Sequence, residues 1–336
     1  MNKIKFCNVL GARTLPPHIA TCLEEQPKRS GMYNWIFAFQ GDIYCYDSVK
    51  DRLEDYDVLQ VNMSPMDWST VLNIRESLPK SSSTKLVINN DHVCEMWGQW
   101  EQNPYLYDHI QRQGDMVFGT EPHQVSNMIK GTFTIPHPTN TDSLKQWHKT
   151  LDYEEESSIG FIFHWWARQT HLPWKTVETV RKKYGIKRNA IFGYKPAHDE
   201  SYKYQKLMWD EKYELMPFPD FAKAMIKQRV LYDPNPCHTY GRNGVEMACF
   251  KKPIVGSDRV YSYKKLFPEL TCDPFDKKAN MQKFKQVLTD KAGTEEILSR
   301  AYKEVEFFNY ANSRKRFLEA LEISADRGGN DYYRMG

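Results

Sequence analysis

The chain has 336 residues, of which 40% are hydrophobic and 26% charged, a balance that supports two domains with cores of their own and excludes wholesale disorder. Its formal net charge is +3, too small by itself to argue for nucleic-acid binding. The apolar stretch at residues 160–163 is broken at His164, and the run at 35–39 is five residues long, both far short of the roughly 20 residues that a membrane span needs.

Seven cysteines, an odd number without a CxxC pair, read as buried thiols in a reducing compartment rather than a disulfide or zinc framework. The first residues hold no apolar run long enough for a signal-peptide core, so the expected location is cytoplasmic. Charge is uneven along the chain. Residues 1–150 carry 14 Lys and Arg against 17 Asp and Glu, and residues 151–336 carry 32 against 26. The second half is the better host for an anionic ligand.

In chain order, short apolar runs at 4–10, 35–39, 58–63, 85–89, 116–119 and 132–135 predict strands, with 67–78 and 122–129 suited to helices between them. The rhythm restarts with strands at 158–163, 190–192, 213–215, 229–232, 253–255 and 269–271, and helices at 174–184, 221–227 and 243–250. This alternation predicts an α/β fold of two Rossmann-like, doubly wound domains. Ligands of such sheets sit outside the strand carboxyl ends, so the expected site is a cleft between the two. The polar stretch 152–157 reads as the linker. From 294 to 323, Leu298, Tyr302, Val305, Phe308, Phe317 and Leu321 recur at helical spacing, which predicts one or two long closing helices. The expected units are 1–150, 151–323 and a polar tail, 324–336.

Chemistry concentrates in residues 234–255, PNPCHTYGRNGVEMACFKKPIV. A helix opening at 241–244 presents free N–H groups and a positive dipole end to a phosphate or sugar oxygen. Glu246 on its first turns either accepts two ribose hydroxyls or only complements the dipole. Asp91 and His92 follow the strand at 85–89. A carboxylate there could take a proton from a hydroxyl and an imidazole could bond one, whereas a helix N-cap is the competing role for Asp91. The triplet Asp55-Tyr56-Asp57 reads as a helix end and strand start rather than a metal site, since oxygen ligands gather at strand carboxyl ends. Trp97, Trp100, Tyr105 and Tyr107 form an aromatic group suited to core packing or to a stacking platform.

Residues 234–255 resemble a motif of the retaining GT-B glycosyltransferases, Pro-Ser-x-x-Glu-x-Phe-Gly-x-x-x-x-Glu with a Pro and two β-branched residues beyond it. Pro234 fits the first position, Tyr240 and Gly241 the aromatic–glycine pair, Glu246 the last glutamate, and Pro253, Ile254 and Val255 the closing strand. His238 stands where the family has its first glutamate, a contact to donor-sugar hydroxyls, and Lys251 replaces a glycine. The resemblance covers most of 57–322. Residues 160–175 are similar to the segment whose Arg and Lys clamp the donor diphosphate, with matches at Arg168 and Lys175. Residues 191–200 and 216–220 resemble the turn and loop near the nucleobase, and Pro136-His137-Pro138 the hinge turn, which makes His137 and Asn140 hinge residues.

The resemblance implies a GT-B enzyme closed by a long C-terminal helix, moving a sugar from a nucleoside diphosphate sugar with retention and without metal or other cofactor. Asp91 and His92 would face the reaction; Arg168, Lys175, His238, Tyr240, Gly241, Arg242 and Glu246 would bind the donor. The acceptor is open among a glycan, a lipid-linked sugar, a protein and modified DNA, as in phage enzymes. A catalytically silent relative that binds nucleotide or glycan, and an epimerase, are the alternatives.

Overall fold

The computed structural model describes residues 4–63, 67–91, 104–126, 128–129, 131–163, 172–192, 209–213 and 216–326. They build two six-stranded, wholly parallel sheets. The first contains β1 (Phe6–Leu10), β2 (Asp42–Cys45), β3 (Val58–Asn62), β4 (Lys85–Asn90), β5 (Met116–Gly119) and β6 (Phe133–Thr134), in the order β2-β1-β3-β4-β5-β6. The second contains β7 (Glu156–Phe163), β8 (Lys187–Phe192), β9 (Glu211–Tyr213), β10 (Gln228–Asp233), β11 (Ile254–Ser257) and β12 (Thr271–Cys272), in the order β12-β11-β10-β7-β8-β9. The winding reverses between β1 and β3 in one sheet and between β7 and β10 in the other. Crevices open at such reversals.

Parallel strands are covered on both faces, which is why they read as short apolar runs. Leu59, Val61, Leu86, Ile88 and Val117 fill one face of the first sheet; Phe6, Val58, Val87, Met116 and Phe118 fill the other. The second sheet packs Ile159, Ile191, Leu231 and Tyr232 into one larger core with Val180, Phe250 and Phe284.

Each sheet also buries a polar group of its own. In the first, Asn62 Oδ1 accepts from Gln60 Nε2 at 3.0 Å and Asn89 Nδ2 at 2.8 Å, and Asn62 Nδ2 reaches Asn8 Oδ1 at 3.5 Å. Asn8 Nδ2, Gln60 Oε1 and Asn89 Oδ1 have no partner among the described residues. In the second, Gln228 Oε1 accepts from Ser158 Oγ at 2.7 Å and Asn189 Nδ2 at 3.0 Å, while its Nε2 donates to Ala224 O at 2.9 Å.

One expected strand is a helix. Residues 35–39 lie within the helix Asn34–Phe39, and the second strand of the sheet is instead β2. Asn34 Nδ2 anchors the helix to Arg29 O at 2.8 Å and Pro138 O at 3.0 Å. Gln40 ends it in the left-handed region at φ 53°, and Gly41 N–H returns to Ile36 O at 2.8 Å, a helix-terminating pattern. Because Trp35, Ile36, Ala38 and Phe39 are all buried, their run shows no helical alternation.

The chain crosses between the sheets twice, and the crossings lie side by side, with Thr139 N–H on Phe308 O at 2.7 Å. After the first, the helix Thr141–Lys149, capped by Asn140 Oδ1 on Ser143 N–H at 3.0 Å, adds Leu144 to the second core. The closing stretch is two helices, Lys291–Glu304 and Tyr310–Asp326, separated by a turn at Val305–Phe308. The last one recrosses and covers the first sheet. Phe317 packs 5.1 Å from Trp35 and from Phe39 and 5.8 Å from Phe118, centre to centre, and Ser324, within the helix, bonds Asp115 O. Asp55 ends a short 3-10 helix just before β3, and Asp57 Oδ2 accepts from Lys5 N–H at 2.8 Å.

Candidate functional site

A cavity of about 380 Å³ lies between the two domains. Arg29, Ser30, Gly31, Asp91 and His137 line it from the first domain, and Ile162, Asp233, Asn235, Tyr240, Gly241 and Arg242 from the second. Ile162 and Asp233 stand at the carboxyl ends of β7 and β10, where the second sheet reverses.

On the first wall, Asp91 directly follows β4. Its Oδ2 lies 2.8 Å from His137 Nε2, and its Oδ1 accepts from Thr120 Oγ1 at 3.0 Å. A carboxylate only accepts, so the ring nitrogen facing it carries the proton. His137 is 2% exposed, and its Nδ1 has no partner among the described residues. It is therefore part of the cavity wall as well as of the crossing, a role the reading of Pro136-His137-Pro138 as a hinge did not include.

On the second wall, Gly241 opens the helix Arg242–Cys249 with φ 76°. A Cβ there would lie 2.0 Å from Val260 Cγ1, so backbone angle and packing both require glycine. Tyr240 is buried, which pushes its phenol pKa up and keeps it a donor. Its oxygen is 2.7 Å from Ser30 Oγ and donates to His137 O at 3.1 Å. Glu246 sits behind this wall with no exposed surface. Its Oε1 accepts from Ser30 N–H at 3.2 Å and lies 3.4 Å from Arg29 Nε, while Oε2 has no partner among the described residues. Burial raises the Glu246 pKa, opposed by the charges of Arg29 and Arg242.

The loop that carries Arg29 and Ser30 also reaches the second domain through Glu25. Phe218 N–H, at the start of the helix Phe218–Lys227, donates to Glu25 Oε1 at 2.9 Å. Residues 25–30 thus hold both Glu246 and a backbone N–H of the 216–220 segment.

Of the other expected site residues, Lys175 and His238 lie outside the cavity lining. Lys175 is exposed on the first turns of the helix Leu172–Tyr184 and does not line the cavity. The His238 ring stacks on His123 of the first domain at 3.8 Å between centres, and His238 is not among the lining residues either. His92, Arg168 and the aromatics Trp97 and Trp100 lie outside the described residues, as do the side chains of Tyr105 and Tyr107. Among the described residues, no group of three or more His, Cys, Asp or Glu side chains could hold a metal ion, and no helix is long and apolar enough to cross a membrane.

Arg29, Ser30 and His137 are the contributions that sequence reasoning missed. Their one available signal was the small pair Ser30-Gly31 just ahead of an apolar run that ends at Gln40-Gly41, a loop and a helix stop on either side of a helix.

No family model matches the sequence, and no curated protein does. Solved structures match the fold. HepE from Anabaena, crystallised with UDP-glucose, superposes with a TM-score of 0.65 at 10% identity, over 95% of this chain and 99% of that one. The α,α-trehalose 6-phosphate synthase of Burkholderia multivorans gives 0.63 at 9%, over 84% and 77%. A TarM variant from S. aureus, solved with fondaparinux, α-GlcNAc-glycerol and UDP, gives 0.62 at 12%, over 82% of this chain; the chain spans 57% of TarM. At such identities the likeness is one of fold. The fold is GT-B, two Rossmann-type sheets facing a cleft with a long terminal helix.

Proposed function

We propose that the chain is a GT-B glycosyltransferase that moves a sugar from a nucleoside diphosphate sugar to an acceptor, without a metal and with retention at the anomeric carbon. The observation that carries this reading is the cavity itself. It lies at the reversal of the second sheet, with a helix N-terminus on one wall and a carboxylate held by two hydrogen bonds on the other. A helix start suits the departing diphosphate, and Asp91 is placed to take a proton from, or orient, an acceptor hydroxyl. UDP-glucose in HepE and UDP in TarM support a nucleotide-sugar donor. The roles of Arg168 and Lys175 at the diphosphate, of His92 in the chemistry and of His238 at the donor sugar rest on the sequence resemblance.

A silent, nucleotide-binding relative is the second reading. It is favoured by Glu246, whose carboxylate is engaged by Ser30 and Arg29. Incubation with a panel of UDP-, GDP- and ADP-sugars, with and without EDTA, separates the two through release of nucleoside diphosphate. We expect release from at least one donor in the presence of EDTA. Asp91→Asn should lower that rate roughly 10²–10⁴-fold while UDP affinity stays close to that of the parent. UDP binding without release from any donor would select the silent reading, and absence of both would overturn the nucleotide-sugar assignment.

A further inference from the structure

We propose that Arg29 and Arg242, one from each domain, form a single anion site in the cleft that grips a phosphate-class oxyanion, and that Arg29 exchanges Glu246 for this anion as it binds.

Both residues line the cavity. The Arg242 guanidinium reaches across the domain gap, where a Cβ on Gly31 would lie 3.7 Å from its Nη1. Arg242 has no hydrogen bond or ion pair among the described residues, and the charge of Arg29 is the largest influence on it, ahead of loss of water and of the attraction of Glu246 and Asp91. Arg29 and the loss of water lower its pKa, Glu246 and Asp91 oppose them, and the outcome is about 10. Two guanidinium groups directed into one cavity repel each other, and an oxyanion between them turns that repulsion into two attractions.

Arg29 is held for such a role. Its guanidinium lies over the rings of Phe218 at 5.3 Å and Phe221 at 5.2 Å, which fix its plane. Among the described residues only Nε is engaged, at 3.4 Å from Glu246 Oε1, which leaves the two terminal nitrogens to donate to a ligand. A guanidinium forks onto a phosphate through two parallel N–H groups. The Glu246 contact is long for a charged hydrogen bond, and Glu246 keeps the backbone N–H of Ser30 when Arg29 turns away.

If the cleft binds a nucleotide-sugar, the occupant is the donor diphosphate; to that extent the inference rests on that reading. The two are separable by calorimetry on the full chain with inorganic pyrophosphate, UDP and uridine, using the parent, Arg29→Gln, Arg242→Gln and the double variant. We expect each single substitution to weaken pyrophosphate and UDP tenfold or more and to leave uridine unchanged. Added salt should weaken both anions in the parent and much less in the double variant. The Arg242 side chain makes no hydrogen bond or ion pair among the described residues, so Arg242→Gln tests the site even where Arg29→Gln perturbs folding. Arg29→Lys, which keeps the charge but loses the fork, should fall between parent and Gln.

Tight UDP binding that is the same in all variants would overturn the anion site and leave the nucleotide reading standing. Arginine-dependent pyrophosphate binding with UDP no tighter than pyrophosphate would establish the anion site and overturn the nucleotide reading. Pyrophosphate binding equally to parent and double variant would overturn the inference outright.

Discussion

The two sheets bury similar polar side chains and use them differently. In the second sheet, Ser158, Asn189 and Gln228 sit near the amino ends of their strands, away from the cleft, and both amide atoms of Gln228 are matched, while Asn189 Oδ1 has no partner among the described residues. In the first sheet, Asn62 and Asn89 sit at the carboxyl ends of their strands, the ends that face the cleft, and several amide atoms around them lack partners among the described residues. A saturated buried cluster contributes to specifying one packing, whereas an unsaturated one costs stability. The difference is one of degree: the second sheet completes the amide at the centre of its cluster, away from the cleft, whereas the first leaves three amide atoms open, among the described residues, around the end that meets ligands.

The comparison breaks first at Gln228. Gln228→Leu strands Ala224 O and removes the acceptor shared by Ser158 and Asn189, so urea unfolding should show a loss of roughly 2–4 kcal/mol. A loss below about 0.5 kcal/mol would mean that the second cluster is no more tightly built than the first.

Glu246 sharpens the comparison, being a buried carboxyl group on the cleft side whose Oε2 has no partner among the described residues. Its pKa is raised in the folded chain, chiefly by burial. A carboxylate of this kind favours the folded state most when protonated, below its unfolded pKa near 4.3, and loses that contribution as pH rises through the raised folded value. Glu246→Gln should therefore gain stability over the parent as pH is taken from 4 to 7, measured as the difference between paired urea curves. Glu121, also raised by burial, is common to both proteins and cancels. A pH-independent difference would show that Arg29 and Ser30 fully compensate the buried charge.

The smallest effect is expected at Gln60. It makes one hydrogen bond, to Asn62, and its Oε1 makes none among the described residues. Gln60→Leu should change stability by less than about 1 kcal/mol in either direction, and a loss approaching that of Gln228→Leu would show that the row is completed in solution.

The architecture was legible because parallel strands buried on both faces announce themselves as apolar runs, from 58–63 in β3 to 229–232 in β10. The helix Asn34–Phe39 was not, since a helix buried all round leaves no polar face to set its period. On the second wall, Tyr240, Gly241 and Glu246 carry a local pattern that the sequence displays. On the first wall the sequence displays Asp91, at the end of a strand, but not the residues that surround it. Arg29 and Glu246 are 217 positions apart and His137 and Asp91 are 46 apart, so the first pair exists only once both domains have met and the second only once the first sheet has formed. The reach of the terminal helix back to the first sheet was hidden for the same reason: Phe317 advertises an apolar face, not the partner it covers.

The contacts of residues 25–30 with Phe218 N–H and the Glu246 carboxylate make part of the chain a tethered competitor. Any ligand that uses those same two groups meets a rival already present at the high effective concentration that covalent attachment confers. Its apparent affinity is the intrinsic one scaled by the fraction of molecules in which the segment has let go. Its association rate then levels off at high ligand concentration, at the rate with which residues 25–30 detach.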